Sequence, residues 1–315
     1  MPGRWSYGLA LAVLVPLLAG CGGSSSDDRP ASERTATTAA EPDVPLEVDR
    51  TTETFVDTSR PTAAGARTPA RPDRTVVTHI THPTSGGPYP LLVLSHGATG
   101  DPDEYAENIP LWASDGFVVA APEFPLTNRD VPGARSNIGD VVNQPGDVSF
   151  VIDSVLAASD DPSDALHGLV DPEAIGVVGH SLGGATTWAV SFDTAMRDER
   201  IDSTVVFAGL TWPMPGGGLD LDSGLPLLVL HGDADDLPLD ADLAAYEQAA
   251  PPKWFVTLLG AEHRIAFTDE PSPYDELVTR TVLDFWHGTL DGDDDALERV
   301  TVDATDPDLS HVRHE

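Results

Sequence analysis

Between Arg74 and Leu290 the chain alternates short, continuously apolar runs with stretches whose apolar residues recur every three or four positions. The runs RTVVTHIT, YPLLVLSHG, FVVAAPEF, AIGVVGH, STVVFAG, LPLLVLHG and KWFVTLLG predict strands. Helical spacing falls between and after them. DPDEYAENIPLWASDG places Tyr105, Ile109 and Trp112 together, with Pro110 predicting the start of a second piece. GDVSFVIDSVLAAS places Val148, Val151, Ile152 and Val155 on one face. LGGATTWAVSFDTAM, DADLAAYEQAA and YDELVTRTVLDFWHGTL complete the helical set. Continuously apolar strands separated by helices predict an α/β fold, a mostly parallel sheet buried on both faces. Ligands bind such sheets at the carboxyl ends of the strands. Two loops stand out there: PEFPLTNRDVPGARSNIGDVVNQPGD, and GLTWPMPGGGLDLDSGLP with Trp212 and Met214. Neither is long enough for a helical lid, so no large cap domain is expected.

The start of the chain follows a different pattern. After Arg4 the apolar run YGLALAVLVPLLAG leads into Cys21, which is a signal peptide in form. Leu18-Ala19-Gly20-Cys21 resembles a bacterial lipobox, and that resemblance implies cleavage before Cys21 and lipid on its sulfur. Each buried acyl CH₂ contributes about 0.8 kcal/mol of membrane affinity, so several chains hold a protein firmly without a spanning helix. A lipid-anchored protein on the extracytoplasmic face of the cell membrane is expected. Residues 22–45 are rich in Gly, Ser, Thr, Ala and Pro and read as a flexible tether. Residues 46–302 then form one catalytic domain, and 303–315 a polar, unstructured tail.

Composition narrows the function. A net charge of −35 excludes the basic footprint that nucleic-acid binding needs. The acidic run Asp291 to Asp295 reads as solvated surface, Lys253 is the only lysine, and Cys21 is the only cysteine, so no intramolecular disulfide exists. A monomer is expected.

The chemistry begins at Gly179-His180-Ser181-Leu182-Gly183, a G-x-S-x-G placed between a strand and a helix. That pattern is a sharp turn that lifts a nucleophilic serine above a sheet. A serine hydroxyl needs a general base, usually a histidine oriented by a carboxylate, and in this arrangement the chain order is serine, acid, histidine. LPLLVLHGDADDLP offers Asp233, Asp235 and Asp236 at a strand end, and LLGAEHRIAF places His263 downstream of them. The oxyanion of acyl transfer needs backbone donors. One is Leu182, after the nucleophile; the second comes from SHGATG and is assigned to Ala98, with Thr99 its neighbour. His96 and His231 precede glycines at strand ends and read as structural hydrogen-bonding residues.

LLVLSHGATG, DGFVVAAPEFP, GDVSFVIDSVL, IGVVGHSLGGAT, LLVLHGDADDLP and GAEHRIAF together resemble the α/β-hydrolase branch of platelet-activating-factor acetylhydrolases, dienelactone-hydrolase-like proteins, chlorophyllases and polyester hydrolases. In the H-G-x-x-D-x-x-P segments of such hydrolases the acid stands four residues after the histidine, which selects Asp235. The resemblance implies the α/β-hydrolase fold and a serine carboxylester hydrolase with no metal and no organic cofactor. It also likens LTWPMP to an aromatic and methionine-containing wall. Phe124, Trp212 and Met214 are therefore expected to line the site for a small-molecule or polymer ester. A thioesterase or amidase using the same three residues, or a lipoprotein that binds a ligand without catalysis, are the alternatives.

Overall fold

The computed structural model describes residues 44–315. The expected signal peptide, Cys21 and nearly all of the expected tether lie outside the described residues. A nine-stranded sheet runs through the domain in the order β1-β2-β4-β3-β5-β6-β7-β8-β9. Strands β3 (Tyr89–Ser95), β4 (Val118–Glu123), β5 (Val170–His180), β6 (Ser203–Phe207), β7 (Leu227–Gly232) and β8 (Lys253–Leu258) are mutually parallel. Antiparallel strands border them: β1 (Val48–Asp57) and β2 (Arg74–Pro83) on one side, β9 (Ser310–His314) on the other. The mostly parallel sheet expected from the apolar runs is the sheet observed.

The strands are apolar throughout because both faces are covered. Leu92 and Leu94 of β3 face a layer made by α1 (Asn108–Ser114), α5 (Asp275–Trp286) and α6 (Asp294–Asp303), with Trp112, Val282, Phe285, Trp286 and Val300 in its core. Leu91 and Val93, one residue out of phase, face α2 (Gln144–Asp160) through Val148, Val151, Ile152 and Val155. Helices α3 (Leu182–Phe192) and α4 (Asp240–Gln248) extend that second layer with Trp188, Phe192, Ala245 and Tyr246. The period-2 alternation of a strand thus divides one hydrophobic run between two cores.

The start of a second piece expected at Pro110 is met, and other local readings are corrected. Pro110 sits in the first turn of α1, where its missing N–H leaves no bond unmade; a short 3-10 segment, Pro102–Tyr105, precedes it. Strand β1 carries a polar, threonine-rich sequence suited to an exposed edge and gave no apolar signal. The expected tail is part of the domain. Residues Ser310–His314 pair with β8 from Leu258 to Trp254, Ser310 is buried, and Leu309 and Val312 pack on the core. As an edge strand it keeps a polar face, so composition alone resembled disorder. The domain therefore runs to Glu315, whose backbone exchanges two hydrogen bonds with Lys253. In the acidic run, Asp293 caps α6 by accepting the N–H groups of Asp295 and Ala296.

His287 ties two elements of the first layer. Its Nε2 lies 2.7 Å from Asp115 Oδ2 at the end of α1, and its Nδ1 2.7 Å from Asp291 Oδ2. Burial opposes its charge, but the two carboxylates outweigh that and raise its pKa from 6.5 to about 9. A raised folded pKa gives stability that is complete below the unfolded value of 6.5 and is lost as pH rises through about 9. Thermal melts should show His287→Gln destabilised by roughly 2–3 kcal/mol at pH 6, the difference from wild type shrinking through pH 9.

Candidate active site

The chain moves from β3 outward to β4 and then returns to place β5 on the other side of β3, so the loops after β3 and β5 emerge side by side at the carboxyl edge. Such a reversal leaves a crevice at the strand ends. Ser181 sits at its rim, between β5 and α3, with φ 58° and ψ −116°. A non-glycine residue at positive φ costs on the order of 1–3 kcal/mol and persists only where its surroundings fix it. Here glycine backbones make that possible. A Cβ on Gly179 would fall 2.2 Å from the Gly183 carbonyl oxygen, and one on Gly183 would fall 1.9 Å from that of Ser95. The turn closes because neither residue carries a side chain.

Ser181 Oγ stands 2.8 Å from His263 Nε2, and His263 Nδ1 stands 2.7 Å from Asp235 Oδ2. The three residues expected from the sequence are therefore brought into one hydrogen-bonded chain. Asp235 has a fully buried side chain, and its Oδ1 accepts the Leu237 N–H at 2.7 Å. Its neighbours do different work: Asp233 accepts the Gly260 N–H at 2.6 Å, and Asp236 is exposed. His263 keeps 26% of its side chain exposed, so its ring can be reached from solvent.

The loop after β3 lies against the nucleophile, since a Cβ on Gly97 would stand 3.3 Å from Ser181 Cβ. Thr99 is held at φ 62° and gives its N–H to the Thr127 carbonyl at 2.8 Å, while Gly100 gives its own to Gly97. Ala98 is exposed and its N–H makes no such bond, leaving it, and not Thr99, free to donate. Leu182 opens α3, where the first N–H groups have no partner within the helix and the dipole favours negative charge.

The expected wall is met in part. Met214 and the half-buried Trp212 pack with Leu182, Ala185 and Val141 beside the nucleophile. Phe124 does not face the site. It is fully buried, its ring centroid 5.0 Å from that of His96, and its N–H donates to His96 Nε2. The end of β4 turns inward to complete the second core, so an aromatic that looks loop-borne in sequence becomes interior. His96 donates Nδ1–H to the Gly97 carbonyl, and burial lowers its pKa, so it is a neutral brace as expected.

Other groups were not legible as part of the site. His180, inside the elbow, contacts the His263 carbonyl through Nε2 at 2.8 Å and lies near the Tyr105 hydroxyl through Nδ1. Burial, with the positive charge of His263 next, lowers its pKa to about 3, so it stays neutral and anchors the loop that carries His263. Arg264 pairs with Glu104, which also receives Arg129, tying the same loop to the segment after Gly100. Ion pairs have no periodicity in sequence and leave no signal there. Among the described residues no cluster of His, Cys, Asp and Glu converges on a metal position, and no helix is long and apolar enough to cross a membrane.

The sheet order, the strained serine between β5 and α3, and the acid and histidine after β7 and β8 are the arrangement of an α/β hydrolase. The Chlorophyllase family model matches residues 52–231, more than half of the chain, and the chain belongs to that family. It is similar to Chlorophyllase-1 of Arabidopsis thaliana, 28% identical over 204 residues that cover 65% of this chain and 56% of the relative, so the match spans little more than half of that protein. The matched family segment contains Ala98 and Ser181 and stops short of Asp235 and His263.

A fluorophosphonate probe should label the native chain at Ser181, read by mass spectrometry of the labelled peptide. Ser181→Ala should abolish the label and His263→Ala should slow it by roughly 10²-fold or more.

Proposed function

We propose that this protein is a serine carboxylester hydrolase held by lipid on Cys21 outside the cytoplasmic membrane. The observation that carries the reading is the unbroken chain of hydrogen bonds from Ser181 through His263 to the buried Asp235. Membership of the Chlorophyllase family supports a hydrolase acting on esters.

In this reading His263 takes the Ser181 proton as Oγ attacks the ester carbonyl, and Asp235 stabilises the imidazolium that forms. The oxyanion is received by the N–H groups of Ala98 and Leu182; a donor of this kind typically contributes about 2.7–4 kcal/mol to the transition state. His263 then protonates the leaving alcohol, and water, activated by the same ring, releases the acyl group. Trp212 and Met214 give one wall of the site an apolar surface suited to an acyl or aromatic group.

Hydrolysis of short- and medium-chain p-nitrophenyl esters tests the chemistry. Turnover should vanish in Ser181→Ala and kcat should fall by roughly 10³–10⁴ in Asp235→Asn, because the ring loses its orienting acceptor. A folded wild type that neither turns over esters nor reacts with the fluorophosphonate would overturn the reading. Metabolic labelling with an alkyne fatty acid tests the anchor: the wild type should carry the label and Cys21→Ser should not. A wild type without the label would remove the lipid from the account.

A further inference from the structure

Behind Asp235 the hydrogen-bonded chain does not end. His231, the histidine at the end of β7, has its side chain fully buried between two carboxylates that are buried as completely. Its Nδ1 is 2.9 Å from Asp242 Oδ2 on α4. Its Nε2 is 3.2 Å from the Leu237 carbonyl oxygen and 3.3 Å from Asp235 Oδ2, the same oxygen that receives His263. The other Asp242 oxygen accepts the Trp188 indole N–H of α3 at 2.9 Å.

A neutral imidazole has one donor nitrogen and one acceptor nitrogen. Neither nitrogen of His231 faces a donor. The Leu237 carbonyl can only accept, so Nε2 carries a proton; Nδ1 faces a carboxylate, and a proton must lie between them as well. Burial opposes the His231 cation, but the hydrogen bond and charge of Asp242, followed by the charge of Asp235, outweigh it and raise its pKa. Burial also pushes the Asp242 carboxyl upward, so the pair holds its shared proton firmly. The charged groups around the ring are thus Asp242 from α4, Asp235 from the loop after β7, and His263, on the far side of Asp235, from the loop after β8.

Resting on the serine-hydrolase reading above, we infer that His231 is a positioning residue whose positive charge, secured by Asp242, sits behind the Asp235 carboxylate and sets the pH range in which His263 can act as a base. With His231 charged, the buried network of two carboxylates and one cation is a single charge short, and the imidazolium formed on His263 during the reaction supplies it. Without that charge, Asp235 would draw a proton onto His263 at rest and leave less of the free base.

Two measurements decide this. In the intact chain labelled with ¹⁵N-histidine, both ring nitrogens of His231 should carry protons at pH 7, the signals being assigned in the wild type by through-space contacts to Leu237 and the Trp188 indole; an unprotonated ring nitrogen overturns the proposal even if no variant folds. In folded His231→Gln and Asp242→Asn, the acid limb of kcat/KM for p-nitrophenyl butyrate should move up by about one pH unit with KM little changed. A limb that stays in place while kcat or thermal stability falls would make His231 a structural brace only and overturn the proposal. Should the wild type prove inert toward esters, the functional reading fails separately, and the titration midpoint of the His263 ring in the same variants replaces the rate limb.

Discussion

Helix α3 meets the end of β3 through bare backbone: the Gly183 position lies so close to the Ser95 carbonyl that a single methyl group would be 1.9 Å from its oxygen. This contact sets the distance between the two loops that carry Ser181 and Ala98. Were the helix pushed outward by the width of a side chain, Ser181 would leave the loop after β3, where a Cβ on Gly97 would stand only 3.3 Å from its own. The strained backbone of Ser181 follows from the same approach, because the chain must reverse within one residue to pass from the strand into so close a helix. Two buried hydrophobic layers hold sheet and helix together and thereby carry that local cost.

The histidine reaches the site from the opposite side, on the loop after β8, and it needs its own fixation. Gly232 allows that loop to lie on the end of β7, since a Cβ there would come 2.1 Å from the Ala261 carbonyl oxygen. The neutral His180 holds the His263 backbone from below, with the two rings 4.9 Å apart, and the Arg264–Glu104 pair clips the loop to the segment after β3. The elbow residue that precedes the serine thus also holds the backbone of the histidine hydrogen-bonded to that serine. A half-exposed ion pair such as Arg264–Glu104 contributes little to stability by itself. Its effect here is to restrict a loop already held at two other points.

Most of the architecture was legible because burial on both faces of a parallel sheet imposes continuous apolar runs, and those runs fall where β3 to β8 are observed. Among the elements that escaped, β1 and β9 are edge strands with one polar face and few large apolar residues, which in composition match a tether or a tail, and α6 begins in an acidic run that reads as surface. At the site, Ser181 and His263 could be read because a turn pattern and a chain order constrain them, and Asp235 because its H-G-x-x-D-x-x-P resemblance singled it out among three aspartates. Phe124 could not, because its position after a strand end did not show that the next turn points inward. His180, Asp242 and Trp188 were unreadable as partners for a different reason. They meet across elements 54 or more residues apart, and no local pattern encodes which face of α4 will meet α3.

Five histidines in this fold show how partner chemistry assigns protonation without any difference in residue type. His96 faces one carbonyl and one N–H, and His180 faces one carbonyl and one hydroxyl; each ring has a donor nitrogen and an acceptor nitrogen satisfied, and burial keeps both neutral. His231 and His287 face acceptors at both nitrogens, carboxylates among them, which favours the cation. His263 combines the two situations. One nitrogen faces a buried carboxylate and the other a hydroxyl, which can give a proton to the ring or accept a hydrogen bond from it. It is also the most solvent-accessible of the five, with 26% of its side chain exposed, and it lies against a strained nucleophile.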